Sequence, residues 1–301
     1  MDNLTHSLVG ALIGQAGLKR KTGLGMPALI IGANIPDIDA TCTIYGMESL
    51  AMRRGLTHGP IAWVLLPLAL AAILYGWDRW QAKRGKRPER RLPVRFGWLY
   101  ALSLIGCLTH PAMDWMNSYG IRLLEPFSSR WFYGDVLFII DIWLWVGLGF
   151  ATWLSLRREK RGLEWRRPAR IALSVGAAYI GLNAGITRAA EQGLLTNAPY
   201  PAIAIGNPTA ATFWRREPIT GNGDGFWTVD GERFGDVTLA DCDLAAARAA
   251  DPQVDAFLFW SRAPYVSRGG EGGWVLGDAR FATQGMGRFS LALPQEICRA
   301  G

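Results

Sequence analysis

PIAWVLLPLALAAILYGW (60–77), DRWQAKRGKRPERRLPVR (78–95) and FGWLYALSLIGCLTHPAM (96–113) follow one another without a break, and their alternation decides the fold. The outer two runs approach the length of about 20 apolar residues that a helix needs to cross a hydrocarbon core of ~30 Å. The middle run carries Arg79, Lys83, Arg84, Lys86, Arg87, Arg90, Arg91 and Arg95 against only Asp78 and Glu89. Further along, Val136–Leu156 and Ala169–Thr187 flank a second basic segment, Arg157–Arg170. Upstream, Leu4–Leu18 and Leu24–Ile35 are apolar but short. At 1.5 Å per residue they reach only ~18–22 Å, enough to enter a membrane without crossing it. The expectation is a mainly α membrane protein, with about four transmembrane helices and two short N-terminal membrane-entering helices.

Charge sets the orientation. The formal net charge of +7 sits in the loops between apolar runs, including Lys19-Arg20-Lys21. That is the positive-inside pattern, and it argues against a nucleic-acid partner. With these loops in the cytoplasm, the chain is a multi-pass inner-membrane protein in contact with lipids. Its C-terminal region then lies on the extracytoplasmic (periplasmic) side. Met1–Thr5 has no basic n-region, so the first apolar stretch is expected to stay as structure. Cys242 and Cys298 would face an oxidising compartment, where a disulfide is allowed but not dictated by sequence.

The chain has three histidines, His6, His58 and His110. In this topology each falls at the outer end of a different membrane segment, level with Asp37, Asp39 and Asp114. The topology came from Lys and Arg alone, so this convergence tests it independently. His110 and Asp114 are four apart and share a helix face. Asp37 and Asp39 follow Pro36 on a turn, where two carboxylates can approach one cation. Imidazole with carboxylate suits a divalent metal, zinc first, with manganese or iron as alternatives. The expected ligands are His6, Asp37, His58, His110 and Asp114. Asp39 is expected as a ligand or as the base that takes a proton from bound water. Arg53 and Arg54 are placed to hold an anionic group such as a phosphate. Asn117, Tyr119 and Arg122 are expected to orient the substrate, and Asp135 and Asp141 to support a ligand imidazole or an Arg.

The ordered set Leu4-Thr5-His6, Pro36-Asp37-Ile38-Asp39, Arg54-Gly55-Leu56-Thr57-His58 and His110-Pro111-Ala112-Met113-Asp114 resembles the YdjM family of inner-membrane proteins. Asn117-Ser118-Tyr119-Gly120, Arg122–Phe127 and Phe138-Ile139-Ile140-Asp141 extend the likeness, which covers about Met1–Leu156. Phe257–Pro264 and Asp278–Phe281 resemble the C-terminal part of longer members. Two positions depart from the pattern: Arg53 stands where the family often has His, and Ile142 where it usually has Pro. The resemblance implies a metal-dependent hydrolase. A site opening at the membrane surface points to a phosphoester or lipid-linked substrate. The competing readings are a non-enzymatic membrane protein with a structural or regulatory metal, and, ranked last, a transporter.

From Arg188 onward the pattern is that of a water-soluble chain. Ala202–Ile205, Thr212–Arg216, Phe226–Val229, Phe257–Trp260, Trp274–Leu276 and Phe289–Leu293 read as short strands, and Leu244–Ala250 as one helix. Gly-rich turns at 221–225 and 269–273 separate them. The division is thus a helical membrane domain over 1–188, carrying the metal site, and a small β-rich (α+β) extracytoplasmic domain over 189–301.

Overall fold

A computed structural model describes residues 1–197, 202–283 and 289–299. The chain forms two compact units, one of residues 1–39 and 54–183, the other of 40–53 and 184–301. Helices α1 (Asn3–Gln15) and α2 (Gly25–Gly32) open the first unit. The excursion 40–53, which ends in the short helix α3 (Ser49–Met52), belongs to the second. The first unit resumes with α4 (Pro60–Lys83), α5 (Phe96–Asp114) and α6 (Ile142–Lys160), and α7 (Arg166–Asn197) follows.

Among the described residues, two helices are long and apolar enough to cross a membrane, Pro60–Lys83 and Arg166–Thr196. The expectation of four spans is therefore not met in full, and the local chemistry gives the reason. Val136–Asp141, expected inside the third span, is not helical. Asp141 caps α6 instead, its carboxylate accepting from Leu144 N at 2.9 Å. Helix α6 consequently runs on into Arg157, Arg158 and Lys160, which dilutes its apolar content. Helix α5 is 19 residues long and ends in polar groups, His110 and Asp114.

The core of the first unit joins Ala28 and Leu29 of α2, Leu70, Ala71 and Leu74 of α4, and Leu99 and Leu102 of α5. Backbones approach closely where glycines leave room. A Cβ on Gly106 would lie 2.5 Å from Leu29 O, and one on Gly32 would lie 2.7 Å from Ser103 O. Small residues at helix crossings permit such proximity. The approach of α2 to α5 is what lets a histidine of α5 reach the end of α2. Outward faces are apolar, with Val64, Leu65 and Ile73 on α4, Val146 and Phe150 on α6, and Ile171 and Val175 on α7 all more than half exposed.

The second unit is built on two antiparallel sheets. Strands β1 (Ile203–Pro208), β2 (Arg216–Gly221), β3 (Trp227–Val229) and β4 (Glu232–Phe234) form one in sequence order. After helices α8 (Leu244–Ala250) and α9 (Pro252–Trp260), strands β5 (Pro264–Arg268), β6 (Trp274–Asp278) and β7 (Ser290–Leu293) form the other. Phe257–Trp260, expected as a strand, is the end of a helix. Asp251 caps it through Gln253 N, and Pro252 occupies its first turn. Of Thr212–Arg216, also expected as a strand, only Arg216 lies in one, at the start of β2. Cys242 and Cys298 are disulfide-bonded.

The two C-terminal motifs meet at one buried ion pair. The Asp278 carboxylate accepts from Ser261 Oγ (2.6 Å), Arg262 N (3.1 Å) and two guanidinium nitrogens of Arg280 (2.7 and 2.8 Å). Arg280 lies over the Trp260 ring, and its carbonyl accepts from Asn207 of β1. Burial alone would raise the Asp278 pKa, but Arg280 and the other donors outweigh it and hold the carboxyl below its ordinary value.

Candidate metal centre

Four elements of the first unit deliver the site. The 3-10 turn that begins at Ile35 carries Asp37 and Asp39 just past α2. The loop 54–58 carries Arg54 and His58 into the start of α4. The last turn of α5 presents His110 and Asp114 on one face, and α1 presents His6. Arg54 takes a left-handed backbone, φ 55°, which costs a non-glycine residue energy and is held here by surrounding bonds. Its carbonyl accepts from Arg122 N at 2.9 Å, and the His58 carbonyl accepts from the Trp63 indole at 2.7 Å.

Asp37, His58, His110 and Asp114 each offer a donor atom, all within 4.8 Å of one another. His110 Nε2 lies 3.5 Å from Asp37 Oδ1 and 3.6 Å from Asp114 Oδ2, and His58 Nε2 lies 3.6 Å from Asp114 Oδ2. His58, His110 and Asp114 are fully buried.

The far nitrogens of both rings are engaged. His110 Nδ1 lies 2.7 Å from the Ala33 carbonyl, which has no proton to give, so Nδ1 donates and in the neutral ring Nε2 would carry the lone pair. His58 Nδ1 faces Asp39 Oδ2 at 3.3 Å and Thr57 Oγ1 at 2.9 Å. Against the carboxylate it too acts as donor. His58 Nε2 and His110 Nε2 have no hydrogen-bond partner, and both face Asp114 Oδ2, whose charge is met by Arg54 Nε at 3.0 Å. Buried polar atoms are rarely left so. Two such imidazole nitrogens converging on a carboxylate oxygen, each ring oriented from behind, fit a divalent cation in donor type and in orientation.

The remaining predicted residues fall into distinct places. His6 stacks on His110 with ring centroids 3.8 Å apart, its Nε2 3.3 Å from Asp114 Oδ1, and neither ring nitrogen makes a hydrogen bond. It thus stands beside the four-residue group, on the other oxygen of Asp114. The Met1 amino group pairs with that same oxygen. Asp39 Oδ2 is occupied by Arg54 N (2.8 Å), the Thr57 hydroxyl (2.9 Å) and the His58 ring, so it orients His58. Arg54 faces inward, its Nε 3.0 Å from Asp114 Oδ2, and it donates to Asn117 Oδ1 at 2.8 Å. Asn117, expected to orient substrate, holds this arginine and also accepts from Tyr119 N. The Arg54 guanidinium lies over the Tyr119 ring, and Arg122 pairs with Glu125. Arg53 belongs to the second unit. Asp141 supports no imidazole: besides capping α6 it accepts from the Tyr179 hydroxyl at 2.9 Å.

Electrostatics follow from these contacts. Burial would raise Asp37 and Asp39, but His110 for the first, and His58, Arg54 N and Thr57 for the second, hold both carboxyls below their ordinary values. Burial would lower His58, and Asp114 and Asp39 outweigh it, so its affinity for a proton is raised. A cation at Nε2 would draw on the same two carboxylates.

Sequence reading missed Ala33, Thr57 and Trp63. A backbone carbonyl leaves no sequence signal. Thr57 does sit inside the Arg54–His58 motif, where a hydroxyl beside a histidine was a usable hint.

A sequence profile described as YdjM inner membrane protein matches residues 1–189. Neither the comparison with curated proteins nor that with solved structures gives a match.

Proposed function

The chain belongs to the YdjM inner membrane protein family, and within it we propose that this protein is a membrane-embedded, metal-dependent hydrolase. Its substrate would be a phosphoester or a lipid-linked molecule at the outer face of the inner membrane. The observation that carries this reading is the convergence of two buried imidazole nitrogens without a hydrogen-bond partner, His58 Nε2 and His110 Nε2, on the Asp114 carboxylate, each 3.6 Å from its Oδ2. The apolar outward faces of α4, α6 and α7 support the membrane setting, in which α5 and α6 would cross beside the two helices long and apolar enough to do so.

Asp37, His58, His110 and Asp114 would hold the cation, zinc before manganese or iron. His6 would add a donor at Asp114 Oδ1. A bound divalent metal supplies a water whose pKa falls toward ~7, and it polarises a phosphoryl or carbonyl oxygen. The protein's own groups do the rest. Asp39 fixes the His58 ring, and Ala33 fixes that of His110. Arg54, held by Asn117, offsets the charge of Asp114, which would otherwise stand as a buried anion.

A second reading has its own observation. Four protein donors match a closed, structural tetrahedral site, whereas catalytic zinc keeps one position for water. In that case the protein is non-enzymatic, with a structural or regulatory metal. The experiment purifies wild type, His58→Ala and His110→Ala in mild detergent, measures bound metals, and assays aryl phosphodiester and phospholipid hydrolysis. We expect near-stoichiometric metal in wild type, its loss in both variants, and hydrolysis that tracks metal content. Metal without hydrolysis of either substrate favours the structural reading, and no metal in folded, chelator-free protein rejects both.

A further inference from the structure

Three chain segments meet at the end of the helical unit opposite the metal centre: the turn after α1, the residues before α5, and the α6–α7 connection. Together they line a cavity of about 670 Å³. Lys19, Arg20, Arg90 and Arg91 contribute four cations, against the single carboxylate of Glu159. That carboxylate is already taken by Lys19 and by Gln15 Nε2. Arg91 is tied to Asp78 at 2.9 Å and to Gln81 at 2.6 Å, so the loop is anchored. Arg20 and Arg90 are exposed, and neither pairs with a carboxylate among the described residues. Trp165 lines the same cavity, with Lys19 4.5 Å from its ring centroid, and Leu92 and Leu163 supply apolar wall.

The walls are built. Thr22 Oγ1 accepts from Arg95 N at 2.8 Å, and Gly23 N donates to Pro93 O at 3.1 Å. A Cβ on Gly23 would lie 2.3 Å from Leu92 O, so the two segments touch backbone to backbone. Helix direction separates this place from the metal centre. His58 precedes the 24-residue helix α4, and the basic residues follow it. At 1.5 Å per residue that is ~36 Å, more than a bilayer core.

We propose that this cavity binds the phosphate-bearing headgroup of one anionic phospholipid of the cytoplasmic leaflet, with Arg20 and Arg90 as the contacts to phosphate and Trp165 at the headgroup–acyl boundary. A surplus of cations over an occupied carboxylate calls for an anion. Basic pockets between helices at the cytoplasmic surface are suited to lipid headgroups, and an aromatic ring with leucines beside the cations suits the glycerol and first methylenes. The inference rests on the membrane setting of the proposed function and not on hydrolysis, so loss of the hydrolase reading leaves it standing.

The test titrates full-length protein in detergent with phosphatidylglycerol and with phosphatidylcholine, counting bound lipids by native mass spectrometry. Arg20→Gln with Arg90→Gln is compared with Lys83→Gln with Lys86→Gln, which removes equal charge from the same end but outside the cavity. We expect one phosphatidylglycerol retained in preference to phosphatidylcholine, bound about thirtyfold more weakly by the first double variant and nearly unchanged by the second. Equal weakening in both variants would mean a diffuse surface field and overturn the site. Inorganic phosphate displacing the lipid at similar concentration would reassign the cavity to a soluble anion and overturn the lipid proposal.

Discussion

Asp39→Asn separates a carboxylate that orients a ligand from one that is a ligand. Asp39 Oδ2 accepts from Arg54 N at 2.8 Å and Thr57 Oγ1 at 2.9 Å, and it faces His58 Nδ1 at 3.3 Å. An asparagine keeps the shape and can still accept with its oxygen, so the 54–58 loop should hold. What it loses is the charge behind the His58 ring, which fixes the tautomer and makes Nε2 a better donor. Removing such a supporting partner costs about 10–100-fold in metal affinity, or about 1.4–2.8 kcal/mol. The assay is chelator competition for zinc and manganese on detergent-solubilised protein, with circular dichroism to verify the fold and His58→Ala beside it. The expected order is wild type, then Asp39→Asn weaker by that factor, then His58→Ala without measurable binding. Unchanged affinity in Asp39→Asn would refute the orienting role, and loss as complete as in His58→Ala would make Asp39 a ligand.

Gly59→Ala should weaken metal binding although Gly59 offers no donor, because a Cβ there would lie 2.0 Å from the Glu125 carbonyl and must displace the loop carrying His58; affinity equal to wild type by the same competition would show that the loop yields. Alkylation of denatured, unreduced protein should label Cys42 and Cys107 only, since Cys242 and Cys298 are bonded; labelling of all four in protein from intact cells would argue against an extracytoplasmic C-terminal unit. Asp278→Asn leaves Arg280 buried without its carboxylate, a loss of about 3–5 kcal/mol, and should show as faster hydrogen exchange in β1 and β2 at pH 7. The folded Asp278 carboxyl is depressed, so its stabilisation is fully present above the unfolded pKa of about 3.9 and is lost as pH falls through the lower folded value. Wild type should therefore lose protection below about pH 4 on this account, and an equally steep acid limb in the variant would contradict it.

The sequence by itself determined the helical unit, the basic end and four residues, Asp37, His58, His110 and Asp114, that come together as a group able to hold a metal ion. Apolar run length and Lys/Arg placement respond to the solvent around the chain, and solvent preference is written residue by residue. The three histidines and three aspartates were legible for a related reason: ionisable groups beside apolar runs are costly and stand out. Helix ends were less legible. Asp141 looked like a supporting partner for a ligand and is a helix cap, which shortened the expected span. Phe257–Trp260 looked like a strand, and the Asp251-Pro252 start made it a helix. Only the tertiary structure decided which atom does what. Asp37 and Asp39 are two residues apart and chemically identical, yet one faces the open nitrogens and the other backs His58. Arg54 could have met a substrate and instead meets Asp114. His110 takes its orientation from a backbone carbonyl of α2, brought close because Gly32 and Gly106 let two helices touch. Such assignments depend on contacts such as the 2.7 Å between His110 Nδ1 and the Ala33 carbonyl, made by residues 77 positions apart. A linear pattern holds no record of them.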